Sequence, residues 1–154
     1  MKDSIGIKGK LHIVLKDEDG NIKQDKVLHN TITNGMDEHI ADQMSDQTEA
    51  QISYMCIGSG TGQSAASTDL SNFISIMALS GTSPVQGTGG DDNDVIYSAY
   101  WAAAAGTGSI REAGIFIGSA TSRADMMTYN DALTVNKGVN DTLKIDWTVT
   151  YGAS

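Results

Sequence analysis

Apolar and polar residues alternate most regularly at the two ends of the chain. Near the start, Ile5, Ile7, Leu11, Ile13 and Leu15 hold alternate positions, with Lys8, Lys10, His12 and Lys16 between them. Successive side chains of a strand point to opposite faces, so this pattern predicts a strand with one buried face. Asp17-Glu18-Asp19-Gly20-Asn21 follows, and Asp-Gly supplies the positive φ of a tight hairpin. Residues 22–32 then read as the return strand. At the other end, Leu143, Ile145, Trp147, Val149 and Tyr151 alternate with Lys144, Asp146, Thr148 and Thr150, the clearest strand in the sequence.

The middle of the chain predicts shorter elements. Residues 51–57 carry apolar side chains on both faces, as a fully covered strand does. Segment 95–103 places Val95, Tyr97 and Trp101 on one face, and 110–117 ends in an apolar run; 126–129 and 133–135 are weaker strands. A helix is predicted over 35–44, with Asn34 as N-cap, Asp37 near the positive end, and Met36, Ile40 and Met44 four residues apart. A second short helix is predicted over 68–78, where Leu70, Phe73, Ile74 and Met77 share a face. Residues 80–94 read as a long loop, of the length that often carries function. Many short strands with one or two short inserted helices predict a mainly β single domain over 1–154. The architecture is an antiparallel β-sandwich or barrel-like, jelly-roll-like fold. The N-terminal hairpin over 5–32 is a segment that reaches a neighbouring subunit or packs on its own domain.

Charge narrows the function classes. The 154 residues carry a net charge of −9, and all ten Lys and Arg lie in 2–26 or 111–144, leaving none from Val27 to Ile110. Phosphate binding works through cation contacts and counterion release, so neither nucleic acid nor an anionic membrane is an expected partner. A single cysteine, Cys56, leaves no intrachain disulfide, and no apolar run approaches the roughly 18–20 residues of a membrane span.

Candidate chemistry is sparse. Gly58-Ser59-Gly60-Thr61-Gly62 is a turn rather than a phosphate loop, because its third Gly comes one residue early and no Lys follows. Asp17, Asp19 and Asn21 start like a calcium loop, but the sixth and twelfth positions hold Ile22 and Leu28. Asp91, Asp92, Asn93 and Asp94 read as a solvated acidic loop. His12, His29 and His39 offer no third ligand in register for zinc, and Cys56 sits in the most apolar strand as a small core residue. No catalytic residue, metal site or cofactor site is assigned. Trp101 and Tyr97 belong to a buried face, which leaves Tyr100 as a contact residue. Glu112, within an apolar run, demands a partner: backbone amides or a second subunit. The interface candidates are therefore Tyr100 and Glu112, together with Ser83, Pro84 and Val85 in the 80–94 segment.

Four segments in order resemble a family of tailed-bacteriophage virion proteins. They are Thr31-Ile-Thr-Asn-Gly-Met36 before a helix, Ile57-Gly-Ser-Gly-Thr-Gly62 followed by Ala65-Ala-Ser-Thr-Asp-Leu70, Arg111-Glu-Ala-Gly-Ile-Phe116, and 136–150 from Asn136 to Thr150. Related segments occur in small head-decoration (cement) proteins and at the N-termini of some tail-fibre proteins. The chain departs from that pattern after Asn72, where Phe73-Ile-Ser-Ile76 replaces an acid and then a base. The resemblance implies a non-enzymatic virion component made in the host cytoplasm. The expectation is a capsid decoration protein, a homotrimer holding major capsid protein subunits on the capsid surface. A tail or fibre-base component is the alternative, and a glycan-binding module using Tyr100 and the 80–94 loop is a third.

Overall fold

A computed structural model describes residues 6–45, 50–117 and 125–152. The first predicted strand forms β1 (Ile7–Lys16), with Ile5 outside the described residues, and its hairpin partner is β2 (Ile22–His29). In the turn between them, the Asp17 carboxylate accepts the backbone N–H groups of Asp19 and Asn21, and Gly20 takes a φ of 81°. The return segment does not continue to Ile32 as one strand. It breaks at Asn30, and β3 (Thr31–Ile32) joins a different sheet. The break is held from the far side, where Asn130 Nδ2 donates to the His29 carbonyl and the Thr128 hydroxyl to that of Thr31.

The predicted helix is α1 (Asn34–Ser45), and 51–57 becomes β4 (Ile52–Gly58). Next come β5 (Phe73–Ala78), β6 (Val85–Gln86), β7 (Asp94–Trp101), β8 (Gly108–Ile110) and β9 (Glu112–Ile117). The chain ends with β10 (Met126–Asn130), β11 (Val135–Lys137) and β12 (Thr142–Tyr151).

Two expectations are corrected. The second helix over 68–78 is a loop followed by β5. Phe73 and Ile76 pack on one side of that strand and Ile74 and Met77 on the other. A strand with apolar side chains on both faces imitates helical spacing over so short a run, and Ile and Phe favour the pleated form. Nor is 80–94 a bare loop. Val85 and Gln86 pair with Ile96 and Val95, Gly89–Asp91 form a 3-10 turn, and Gln86 Nε2 donates to the Asp92 carbonyl. The Ser83–Pro84 peptide is cis.

The strands form two five-stranded antiparallel sheets and a two-stranded ribbon. The first sheet runs β2-β1-β12-β7-β6, the second β3-β10-β9-β4-β5, and the ribbon pairs β11 with β8. The inward residues of the first sheet are Leu11, Ile13 and Leu15, then Leu143, Ile145, Trp147 and Val149, then Tyr97, Ala99 and Trp101. They pack on Met55, Ile57, Ala113 and Ile115 of the second sheet to form one core. Each large side chain buried this way stabilises the fold by about 1.5–3 kcal/mol. The predicted sandwich is thus the observed fold, with one α-helix among the described residues. Within it the N-terminal hairpin supplies an edge and a next-to-edge strand to its own first sheet.

The two outer faces are treated differently. The second sheet is covered on its outside by the segment between β4 and β5, where Leu70 packs with Cys56, Phe116, Met126 and Tyr129 in a second buried cluster. Helix α1 packs beside β10, and Ile40 lines clefts with the inward-pointing Ile7, Val95, Tyr97 and Tyr151 at one end of the sandwich. No described element covers the outside of the first sheet.

Candidate interaction surface

The outer face of the first sheet is set by the register of its strands. Across β2, β1, β12 and β7, one outward row runs Val27, His12, Asp146, Ser98, and the next runs Asp25, Val14, Lys144, Tyr100. Ile96 and Val85 extend the face toward β6. Among the described residues six large hydrophobics are exposed, and four lie here: Ile22 at 59%, Val27 at 57%, Tyr100 at 47% and Val85 at 40%. Lys8, Lys10, Lys16 and Lys144 stand among them with Asp25, Asp94 and Asp146. On a chain of net charge −9, this face therefore carries one more cation than anion among the described residues.

The polar groups of the face bond to one another. His12 Nε2 lies 2.7 Å from Asp25 Oδ1, the Ser98 hydroxyl donates to Asp146 at 2.6 Å, and Thr150 donates to Asp94 at 2.5 Å. Two shallow depressions, each lined by both His12 and Asp146, lie on this face; Tyr100, Ile22 and Val14 line one and Val27 and Ile96 the other. His29 stands opposite Lys10, diagonal to His12. The Ser98 hydroxyl is bonded to a carboxylate, and His12 is bonded to a different one, so this row does not assemble a nucleophile with its base. Among the described residues no three His, Cys, Asp or Glu side chains gather as a metal cluster.

The other interface candidates fall elsewhere. Glu112 is a correction: it is fully buried, and its partners are inside the chain. Its carboxylate accepts backbone N–H groups from Gly60 at 3.0 Å, Ser71 at 3.0 Å and Asn72 at 2.7 Å, and the Gln63 side-chain amide at 2.7 Å. Asp131 does the same for the N–H groups of Gly62 and Gln63. The amides of the Gly-rich turn, which would otherwise suit an anion, are thus occupied by the protein's own carboxylates. The close approach requires glycine: a Cβ at Gly60 would lie 2.7 Å from Glu112 Oε1 and 2.4 Å from the Ser71 Cβ.

Ser83 is structural, donating to the Ile96 carbonyl and accepting from the Ser98 amide, so that its hydroxyl extends the edge of the sheet. Pro84 turns the other way, into the cleft with Ile40, Met44, Tyr97 and Tyr151. Only Tyr100 and Val85, of the five candidates, are exposed on the outer face, and Tyr100 shares neither depression with any residue of 80–94. In the neighbouring cleft the Tyr97 and Tyr151 hydroxyls lie 3.1 Å apart, and burial pushes both above the ordinary tyrosine range, so they stay neutral.

Residue types alone did not signal Asp131 or Gln63, whose partners lie on segments distant in the chain, or the Asp25–His12 pair, which depends on the register of the hairpin. A further pin lies at Asp141, which receives Lys23 Nζ and the Gly138 amide, both at 2.7 Å. The hydrogen bond from Lys23 is the main reason its carboxyl lies below the ordinary aspartate range. No protein-family model, curated protein or solved structure matches the chain.

Proposed function

We propose that this chain is a non-enzymatic structural protein of a tailed-bacteriophage virion. In this reading it is a capsid decoration protein that binds the outer shell as a homotrimer and bridges neighbouring major capsid protein subunits. The observation that carries the proposal is the asymmetry of the sandwich. One sheet is covered by its own chain, while the other presents most of the exposed large hydrophobics on a bare face. A closed β body with such a face works by burying surface against other proteins, and a stable contact needs about 1,200–2,000 Å² in total. The resemblance of the four sequence segments supplies the kind of assembly. Binding to the assembled shell and not to its dissociated subunits would stabilise the particle by mass action.

The test is binding of the purified protein to expanded heads lacking it. Saturable binding at a lattice-matched number, with heads gaining resistance to heat or osmotic shock, is the expected result. Failure to bind heads, with co-purification on tails, would replace this reading by a tail or fibre-base role.

A further inference from the structure

Helix α1 is the electrostatic opposite of the bare sheet face. Six of its exposed residues, Asp37, Glu38, Ala41, Asp42, Met44 and Ser45, form one continuous stripe, since 37, 41 and 44 and 38, 42 and 45 recur at three- and four-residue spacing. The helix contains three acids and no Lys or Arg. Met44 at its end is 84% exposed, the highest value among the exposed large hydrophobics. The stripe lies at one end of the sandwich, whereas the lysine-bearing face is the outside of the first sheet. The same chain thus carries two unlike surfaces, each with apolar groups to bury: a helix stripe with acids alone, and a sheet face whose four lysines outnumber its three aspartates.

We infer that the outer face of the first sheet receives helix α1 of a second copy of this chain. The inference rests on the self-association in the proposed function and names the two surfaces that meet. Lys8, Lys10, Lys16 and Lys144 face Asp37, Glu38 and Asp42 of the neighbouring copy, while Met44 and Ala41 pack on Val27, Tyr100 and Ile22. The sizes agree. A 12-residue helix is about 18 Å long. Five strands at ~4.8 Å spacing, the longest of ten residues, make a face of roughly 20 by 33 Å. A helix of that length, about 10–12 Å wide, seats within the face and covers roughly a third of it. Because the two surfaces differ, they can meet head-to-tail, and the homotrimer of the proposed function is the case in which that contact closes into a ring.

The experiment is sedimentation velocity on the full chain at low and high salt, with charge-reversed variants. The unmodified protein is expected to associate, at least ten-fold more tightly at about 50 mM than at 500 mM salt. K10E with K144E should weaken association at least ten-fold, as should E38K with D42K. A chain carrying all four changes should associate again. Circular dichroism and urea midpoints near the parent value establish that each variant is folded. A folded chain that stays monomeric at 100 µM and low salt overturns the inference, as do association indifferent to both reversals and a four-fold variant that is not rescued. Loss of head binding in the lysine variants with self-association intact would give the face to the shell, overturning this inference while supporting the proposed function. Charge-swappable association without head binding would do the reverse.

Discussion

Glu112 accepts four hydrogen bonds that fix the local structure. Its carboxylate holds three backbone amides and one side-chain amide, and so ties the segment that covers the second sheet to strand β9. Replacement by Ala takes the acceptor from four donors at a part-buried site, each loss costing up to about 1–3 kcal/mol. Glu112→Ala is expected to lower stability by about 3–5 kcal/mol and Glu112→Gln by less, as read from urea unfolding. An unchanged midpoint for Glu112→Ala would show that the segment is held by other contacts. Gly60→Ala should cost about 1–3 kcal/mol, because the added methyl meets Ser71 and the same carboxylate. Asp141 sets a pH dependence. Its carboxyl lies below its ordinary value in the folded chain, so its contribution is present above about pH 4 and is lost as the pH falls through the folded value. The stability difference between the parent protein and Asp141→Asn should therefore shrink from pH 7 to pH 3; a constant difference would show that the Lys23 bond does not act through ionisation.

Among the elements, β12 is the central strand of the first sheet with β1 beside it, and their ten-residue register carries the core on one side and the bare face on the other. Substitutions on the two sides should separate cleanly. Trp147→Ala removes a fully buried indole and is expected to cost about 3–5 kcal/mol. Val27→Thr with Ile22→Thr changes only exposed positions and should move stability by no more than about 0.5 kcal/mol. The same pair should weaken association measured by sedimentation, and a pair that unfolds the chain instead would place these side chains in the core. These strands were legible because alternation persists over their full length. Strand β5 was not, because its four apolar side chains serve two faces and read equally well as a helix. The division of 22–32 into β2 and β3 was hidden for another reason: Asn130 and Thr128, which hold it, lie about a hundred positions away in the chain.

At the scale of the whole molecule, covering only one sheet leaves the other with a bare outer face, the surface on which the proposed function rests. A sandwich needs two inner faces to make a core; its outer faces are free to be polar, covered or sticky. Here the segment between β4 and β5 closes one of them, and the short β6 arm leaves the other open. The absence of Lys and Arg from Val27 to Ile110 concentrates positive charge on β1, β2 and β12, which is how an acidic chain acquires one face without a negative excess. Heads incubated with the protein at rising salt should lose it progressively if this face contributes to the assembly; salt-independent retention would point to a purely apolar contact.

The order of apolar and polar residues by itself determined the mainly β class, the N-terminal hairpin, helix α1 and the inward faces of β1, β7 and β12, because side-chain direction in a strand or helix follows from spacing alone. It also singled out Tyr100 as the exposed aromatic and Glu112 as a carboxylate that needed amides or another subunit. Only the tertiary structure decided between those two partners for Glu112 and left one sheet bare. Each of these depends on which distant segments come together, and a local pattern of hydrophobicity carries no record of that.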